Sequence, residues 1–249
     1  MSISPIMVLT GASRGIGHAI AKRFSDGGWR VITCSREDVP EACAAEKRWL
    51  GHIPTDLGDA DSVEDFIAAT RKLLNGEHLT ALVNNAAQSP KTTNRERIGC
   101  LDGDMDEWYK VFDLNFFTPL RLCRGFANLL GNDSEDYTAS IINITSIAGH
   151  AIHPLAGSHY SVSKAALSAM TKELAVELAT RGIRVNAIAP GEIVTSMIGP
   201  EYEPLVDRIP LGRMGHVDEV AGCVWQMCQP DFRYVTGAEI FVTGGQHLL

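Results

Sequence analysis

The sequence predicts an α/β fold, a doubly wound sheet of about seven parallel strands with helices on both faces. Two observations carry this. Short β-rich runs alternate with longer helical patterns almost from end to end, an order that leads to parallel pairing through right-handed crossovers. No linker, internal repeat or low-complexity tract interrupts that order, so residues 1–249 read as one domain.

Ile6–Thr10 reads as a buried strand, followed by a helix from Gly15 to about Asp26. Arg30–Cys34 is a second strand, a helix is placed near Pro40–Lys47, and a third strand lies around Leu50–Thr55. The next helix is signalled by Asp61 and Glu64 at capping-box spacing, and by one apolar stripe of Val63, Phe66, Ile67, Thr70 and Leu74. Leu79–Asn84 and Ser140–Thr145 are strands, separated by a polar surface loop at Lys91–Gly103 and a long helix from about Asp104 to Leu130. A helix from about His159 to Arg181 carries Leu167, Met170, Leu174 and Leu178 on one face, and Ile183–Ile188 and Glu239–Val242 complete the strands.

Composition bounds the function. The chain has 22 Lys+Arg against 30 Asp+Glu, a net charge of −8, and 45% hydrophobic residues. That apolar fraction excludes disorder, and the acidic balance lacks the electrostatic footprint of a nucleic-acid or anionic-membrane binder. Six cysteines form no CxxC pair and read as reduced thiols. The first ten residues have no basic region and too short an apolar run for a signal peptide, and no apolar run reaches the ~18 residues of a membrane span. A cytoplasmic protein is the expectation.

After the first strand comes Thr10-Gly11-Ala12-Ser13-Arg14-Gly15-Ile16-Gly17, leading straight into a helix. Glycines permit a tight turn and close backbone approach, and the helix start then presents free amides and a positive dipole end to a phosphate. A Rossmann-type dinucleotide site is therefore expected here. Sites for NAD usually place Asp or Glu near the end of the second strand, on the ribose hydroxyls. This chain has Cys34-Ser35-Arg36 there, with no carboxylate before Glu37. Arg36, with Arg14 nearby, suits a 2′-phosphate, so NADP(H) is preferred over NAD(H).

Tyr160 and Lys164 lie four apart at the start of a helix, on one face. An unperturbed Tyr, with pKa near ~10, is a poor acid-base catalyst at neutral pH. A fixed ammonium alongside is expected to lower it. Ser146 stands at the carboxyl end of the fifth strand, on the edge where open parallel sheets bind ligands.

Taken in order, the Thr10–Gly17 turn, Asp56, Asn84-Asn85-Ala86, Asn115, Asn143–Ser146, Tyr160–Lys164 and Pro190–Thr195 resemble the short-chain dehydrogenase/reductase family. The likeness runs on to Val235-Thr236-Gly237 and Gly244-Gly245, and is strongest to 3-oxoacyl-acyl-carrier-protein reductases. It implies a catalytic set of Asn115, Ser146, Tyr160 and Lys164. Tyr160 would be the general acid or base, Ser146 would hydrogen-bond the carbonyl oxygen, and Lys164 would hold the nicotinamide ribose. Asn115 would anchor a water in a proton relay. It also implies a cofactor set of Gly11, Ser13, Arg14, Gly15, Ile16, Gly17, Ser35, Arg36, Asp56, Leu57, Asn84, Ala86, Tyr160, Lys164, Pro190, Gly191, Ile193 and Thr195. Within it Asp56 would contact the adenine, Asn84 the adenosine side, and Thr195 with the Ile193 backbone the carboxamide. The family is commonly dimeric or tetrameric, so a homotetramer or homodimer is expected. Independently of the resemblance, Pro119 lies four residues after Asn115 and cannot donate to its carbonyl.

Several positions depart from the family pattern. Ala87 replaces the last Gly of the usual NNAG, and Ser146 and Tyr160 are one residue further apart than is common. The loop bearing Ile147, His150, Ile152 and His153 is expected to bulge where substrate enters. Glu192 stands where relatives often carry an aromatic or aliphatic residue. Pointing inward it would select a cationic or polyhydroxylated substrate, and the preferred reading is a solvated loop acid pointing outward. Ile147, His153 and Glu192 are the candidate substrate residues. His150, His153 and His159 lack acidic partners close in sequence and are read as non-metal residues. Specificity is expected in loops near 91–103, 147–159 and 194–210. The leading expectation is hydride transfer between NADP(H) and a carbonyl or secondary alcohol. An NAD-dependent alcohol or sugar dehydrogenase, and a non-catalytic dinucleotide sensor, stand as alternatives.

Overall fold

The computed structural model describes residues 4–37, 49–131, 137–196 and 198–249. Its strands are β1 (Ile6–Thr10), β2 (Arg30–Ser35), β3 (Trp49–Pro54), β4 (Ala81–Asn84), β5 (Ser140–Ile144), β6 (Arg184–Pro190) and β7 (Glu239–Val242). All seven join one sheet in the order β3-β2-β1-β4-β5-β6-β7, with every neighbouring pair parallel. The chain works outward from β1 to β3, then returns to the other side of β1 at β4. The crossover direction reverses between β1 and β4, which opens a crevice outside their carboxyl ends.

The helices are α1 (Gly15–Asp26), α2 (Ala60–Leu74), α3 (Met105–Phe112), α4 (Thr118–Phe126), α5 (Ser158–Ala179) and α6 (Val217–Met227). On one face Phe66, Leu74, Leu122, Phe126, Leu167 and Leu174 from α2, α4 and α5 pack on Val8, Ile32, Leu82 and Ile141. On the other Ile20, Phe24, Val220 and Val224 from α1 and α6 pack on Leu9, Val31, Val83 and Ile142. The strands are therefore apolar on both faces, which is why they read as continuous runs rather than alternating ones.

The helix-forming signals differ from expectation in four places. Asp59, not Asp61, caps α2, its side chain accepting from the Asp61 amide at 3.0 Å. The long helix is broken into α3, a π-helical turn at Asp113–Phe117 and α4. Pro119 sits in the first turn of α4, where a missing amide costs least, and the Thr118 amide donates to Asp113 across the wide turn. Helix α6 and a 3₁₀ segment at Pro200–Arg208 were not anticipated. The stripe of α6 (Val220, Ala221, Val224, Met227) has helical spacing, but no element was expected between Ile188 and Glu239. The helix expected near Pro40–Lys47 lies outside the described residues. Among the described residues no helix is long and apolar enough to cross a membrane, and the described cysteines are free.

Candidate active site

The end of β1 is held open by backbone geometry. Gly11 and Gly15 adopt left-handed φ values of +72° and +57°, which side chains resist. A Cβ on Gly17 would lie 2.1 Å from the Gly11 carbonyl oxygen, so only glycine lets α1 start this close to β1. Asn85 at the end of β4 clamps the turn, donating from Nδ2 to the carbonyls of Thr10 (2.9 Å) and Gly11 (3.1 Å). Thr10 Oγ1 in return accepts from the amides of Asn85 and Ala86, each at 3.0 Å. Sequence reasoning named Asn84 and missed Asn85. Asn84 is buried within the sheet and donates to Asn143 Oδ1 at 2.8 Å. Ala87 does not adopt a left-handed backbone, so its methyl group costs no strain.

A cavity of about 610 Å³ opens from this turn along the carboxyl edge of the sheet. Every residue of the expected catalytic, cofactor and substrate sets lines it except Asn84 and Asn115. At one end lie Arg14, Ser35, Arg36 and Glu37. Arg14 and Arg36 are exposed, and neither forms an ion pair among the described residues. His52, which sequence reasoning missed, fixes the end of β2: its ring nitrogens lie 2.8 Å from Thr33 Oγ1 and 3.2 Å from Ser35 Oγ. Asp56 Oδ1 accepts from the Gly58 amide at 3.0 Å, and the Leu57 carbonyl accepts from Thr118 Oγ1 at 2.7 Å. Gly15 faces Thr195 across the cavity, since a Cβ there would lie 3.6 Å from Thr195 Cγ2.

The middle of the cavity carries Ser146, Tyr160 and Lys164. Ser146 directly follows Thr145 at the end of β5, its Oγ accepts from the Ala148 amide at 3.2 Å, and its hydroxyl favours the ionised form of the Tyr160 phenol. Lys164 is one turn further along α5, its Nζ 5.7 Å from the centre of the Tyr160 ring and donating to the Ile144 carbonyl at 2.7 Å. Burial pushes the Tyr160 phenol up to about 12, the Ser146 hydrogen bond opposing and Tyr202 and Glu192 reinforcing the rise. Burial likewise pulls Lys164 down to about 7. The expected lowering of Tyr160 by Lys164 is not found: desolvation raises the phenol, Lys164 is not among the causes acting on it, and the same enclosure disfavours the ammonium.

Asn115 lies in the π-helical turn and is fully buried beside this group. Its Oδ1 accepts from the Gln88 amide at 2.9 Å, and its Nδ2 donates to the Gln88 carbonyl at 3.0 Å and to Ser163 Oγ at 3.1 Å. Ser163 Oγ donates onward to the Tyr160 carbonyl at 2.8 Å. The side chain thus ties the loop after β4 to the helix carrying Tyr160. Gln88 and Ser163 had no sequence signal apart from their neighbours.

At the far end, Glu192 points inward and is only 5% exposed, which overturns the reading of a solvated loop acid. The Gly215 amide donates to its carbonyl at 2.8 Å, fixing the backbone, and its Oε1 meets His153 Nε2 at 2.6 Å and Gln246 Nε2 at 3.3 Å. The three loop histidines separate onto acids distant in sequence: His150 lies 3.0 Å from Glu239, His153 on Glu192, and buried His159 3.9 Å from Glu107. Among the described residues no group of three His, Cys, Asp or Glu is placed to hold a metal. The 91–103 loop is clamped rather than loose, with Lys91 and Arg95 on Glu201 and Arg97 on the Ala156 carbonyl and Ser158.

A doubly wound parallel sheet with a glycine turn and a Ser–Tyr–Lys group on one crevice defines an α/β protein of the Rossmann type. Residues 11–247 match the family described as Enoyl-(Acyl carrier protein) reductase. The chain is 49% identical to Protein FixR of Bradyrhizobium diazoefficiens, over 98% of this chain and 87% of that one. It is 43% identical, with a TM-score of 0.81, to an oxidoreductase of the short-chain dehydrogenase/reductase family from Brucella ovis solved with a partially ordered NAD, covering 96% of this chain and 100% of that one. It is 31% identical, with a TM-score of 0.86, to the RhlG/NADP active-site complex of Pseudomonas aeruginosa, covering 99% and 98% of the two chains. The chain belongs to the short-chain dehydrogenase/reductase family of oxidoreductases.

Proposed function

We propose that this chain is an NADP(H)-dependent reductase that transfers hydride between the coenzyme and a carbonyl or secondary-alcohol substrate, with Tyr160 as general acid and base. The observation that carries this is that Ser146, Tyr160 and buried Lys164, one turn on from Tyr160, line one cavity with the glycine turn. The pyrophosphate would rest on the Gly11–Gly17 turn and the α1 N-terminus. The 2′-phosphate would meet Arg14 and Arg36, Asp56 and Leu57 would face the adenine, and Ile193 and Thr195 the carboxamide. A nicotinamide coenzyme held by these residues would supply the hydride for the carbonyl carbon. Ser146 and Tyr160 both present hydroxyls to the carbonyl oxygen, and Tyr160 gives its proton to that oxygen as the negative charge develops. A phenol held near 12 is fully protonated at neutral pH, the state that reduction requires. Lys164 would hold the nicotinamide ribose and, when charged, stabilise the phenolate that is left.

Purified protein is expected to oxidise NADPH with a carbonyl substrate, and Tyr160→Phe to lower kcat by about 10²–10⁴-fold with NADPH affinity retained. Undiminished turnover in that variant would reject the mechanism. A second reading, an NAD-dependent dehydrogenase, is favoured by Glu37, which lines the same end of the cavity as Arg36, and by the NAD in the Brucella ovis relative. Calorimetric Kd values for NADPH and NADH separate the two, and tighter NADH binding would reject the assignment to Arg14 and Arg36. We further infer one catalytic domain in a cytoplasmic homotetramer or homodimer, with substrate loops near 91–103, 147–159 and 194–210.

A further inference from the structure

The substrate end of the cavity contains a charge that the hydride-transfer chemistry does not use. His153 Nδ1 accepts from the amides of Leu155 and Ala156, both at 3.1 Å. A nitrogen that accepts two N–H bonds carries no proton, so the ring is neutral and its proton is on Nε2, donated to Glu192 Oε1. The pair therefore keeps the full negative charge of the carboxylate, with no imidazolium to cancel it. Oε1 is shared between His153 and Gln246. Oε2 accepts no hydrogen bond among the described residues, and Glu192 lines the cavity together with Tyr160 and Tyr202. Its field is felt at the reacting group, since the Glu192 charge is among the causes that hold Tyr160 protonated.

A carboxylate on a side chain only 5% exposed, with one oxygen open to the cavity and given no donor by the protein, is costly unless water or a ligand there supplies one. Building it in with a fixed backbone, a locked histidine tautomer and a backing glutamine is an arrangement for binding, since a hydrocarbon or anionic substrate would pay to lie against it. We propose that Glu192 is a specificity-determining residue, and that the carbonyl substrate carries a hydrogen-bond donor, a hydroxyl or an ammonium group, which binds Glu192 Oε2 while the carbonyl meets Ser146 and Tyr160. His153 is the positioning residue that aims it. This rests on the carbonyl-reduction reading and adds the class of substrate.

The test uses cyclohexanones bearing a methyl, hydroxyl or ammonium substituent at the 3- or 4-position, with the native protein, Glu192→Gln and Glu192→Leu. Each is measured twice, as kcat/KM with coenzyme and as Kd by calorimetric titration of the NADPH-loaded protein. The expected result is at least about tenfold preference for a donor-bearing ketone over its methyl counterpart, lost in Glu192→Leu. In Glu192→Gln a hydroxyl preference survives and an ammonium preference falls, which tells the two donors apart. The hydroxyl-to-methyl ratio also drops in His153→Ala, a change in ratio that general loosening would not produce. Equal Kd values for methyl and donor probes in the native protein, or a preference unchanged in Glu192→Leu, would overturn the assignment. Donor preference in Kd with no turnover of any ketone would instead overturn the carbonyl-reduction reading and uphold Glu192 as the donor-binding residue.

Discussion

Lys164 shows what a single residue costs and gives. It is 2% exposed with one acceptor, the Ile144 carbonyl, and burial draws its pKa from 10.5 to about 7. Its folded pKa lies below its unfolded one, so it opposes folding. That cost is fully present below about pH 7 and fades as pH rises toward 10.5. Lys164→Met is accordingly expected to stabilise the chain near pH 6 by on the order of 1–4 kcal/mol while removing activity. Urea unfolding measured at pH 6 and pH 9 checks it, the gain shrinking at the higher pH. Reductive kcat/KM is expected to fall as pH rises through about 7, where Lys164 sheds its proton, and Lys164→Arg is expected to move that limb to higher pH. The sequence placed Tyr160 and Lys164 on one helix face. It did not show that both are desolvated together, which reversed the expected direction for Tyr160.

At the scale of elements, two interruptions of regular structure shape the site. The glycine turn was legible because Gly11, Gly15 and Gly17 occupy positions where geometry permits nothing else. Gly17→Ala would drive a methyl group into the Gly11 carbonyl, moving the start of α1. Dinucleotide affinity is expected to fall by at least about tenfold, a modest loss against the ~1–3 kcal/mol typical of overpacking, and titration with NADPH measures it. The π-helical turn was only half legible. Pro119 announced a break after Asn115, but whether a helix kinks or widens there depends on what its side chains meet. Asn115 meets Gln88 and Ser163, from different elements, and those partners are set by the sheet. Helix α6 went unread for a related reason: its apolar stripe is short, and its burial against Phe24 and Trp29 is assured by tertiary neighbours.

For the whole molecule, a net charge of −8 coexists with a site read as taking a multiply phosphorylated coenzyme. The local arrangement of amides, the α1 dipole end, Arg14 and Arg36 must therefore outweigh the global field. Apolar residues also remain outside the two cores: Met105, Tyr109, Phe117, Val162 and Val176 are exposed along α3, the π-helical turn and α5. If these faces join copies of the chain, Phe117→Asp with Val176→Asp is expected to convert the assembly to smaller species in sedimentation velocity. An unchanged sedimentation coefficient would place the interface elsewhere.

The sequence by itself determined the doubly wound sheet, the glycine turn and the Ser146–Tyr160–Lys164 group, because periodicity, glycine geometry and motif order are local properties of the chain. Tertiary structure decided the rest. It turned Glu192 inward, since His153 and Gln246, 39 and 54 residues away, hold its carboxylate. It put Asn85 rather than Asn84 on the turn, because the register of β4 against β1 selects which side chain faces the crevice. Contacts between residues far apart in sequence leave no spacing to read, and in this protein they lie where substrate specificity is proposed.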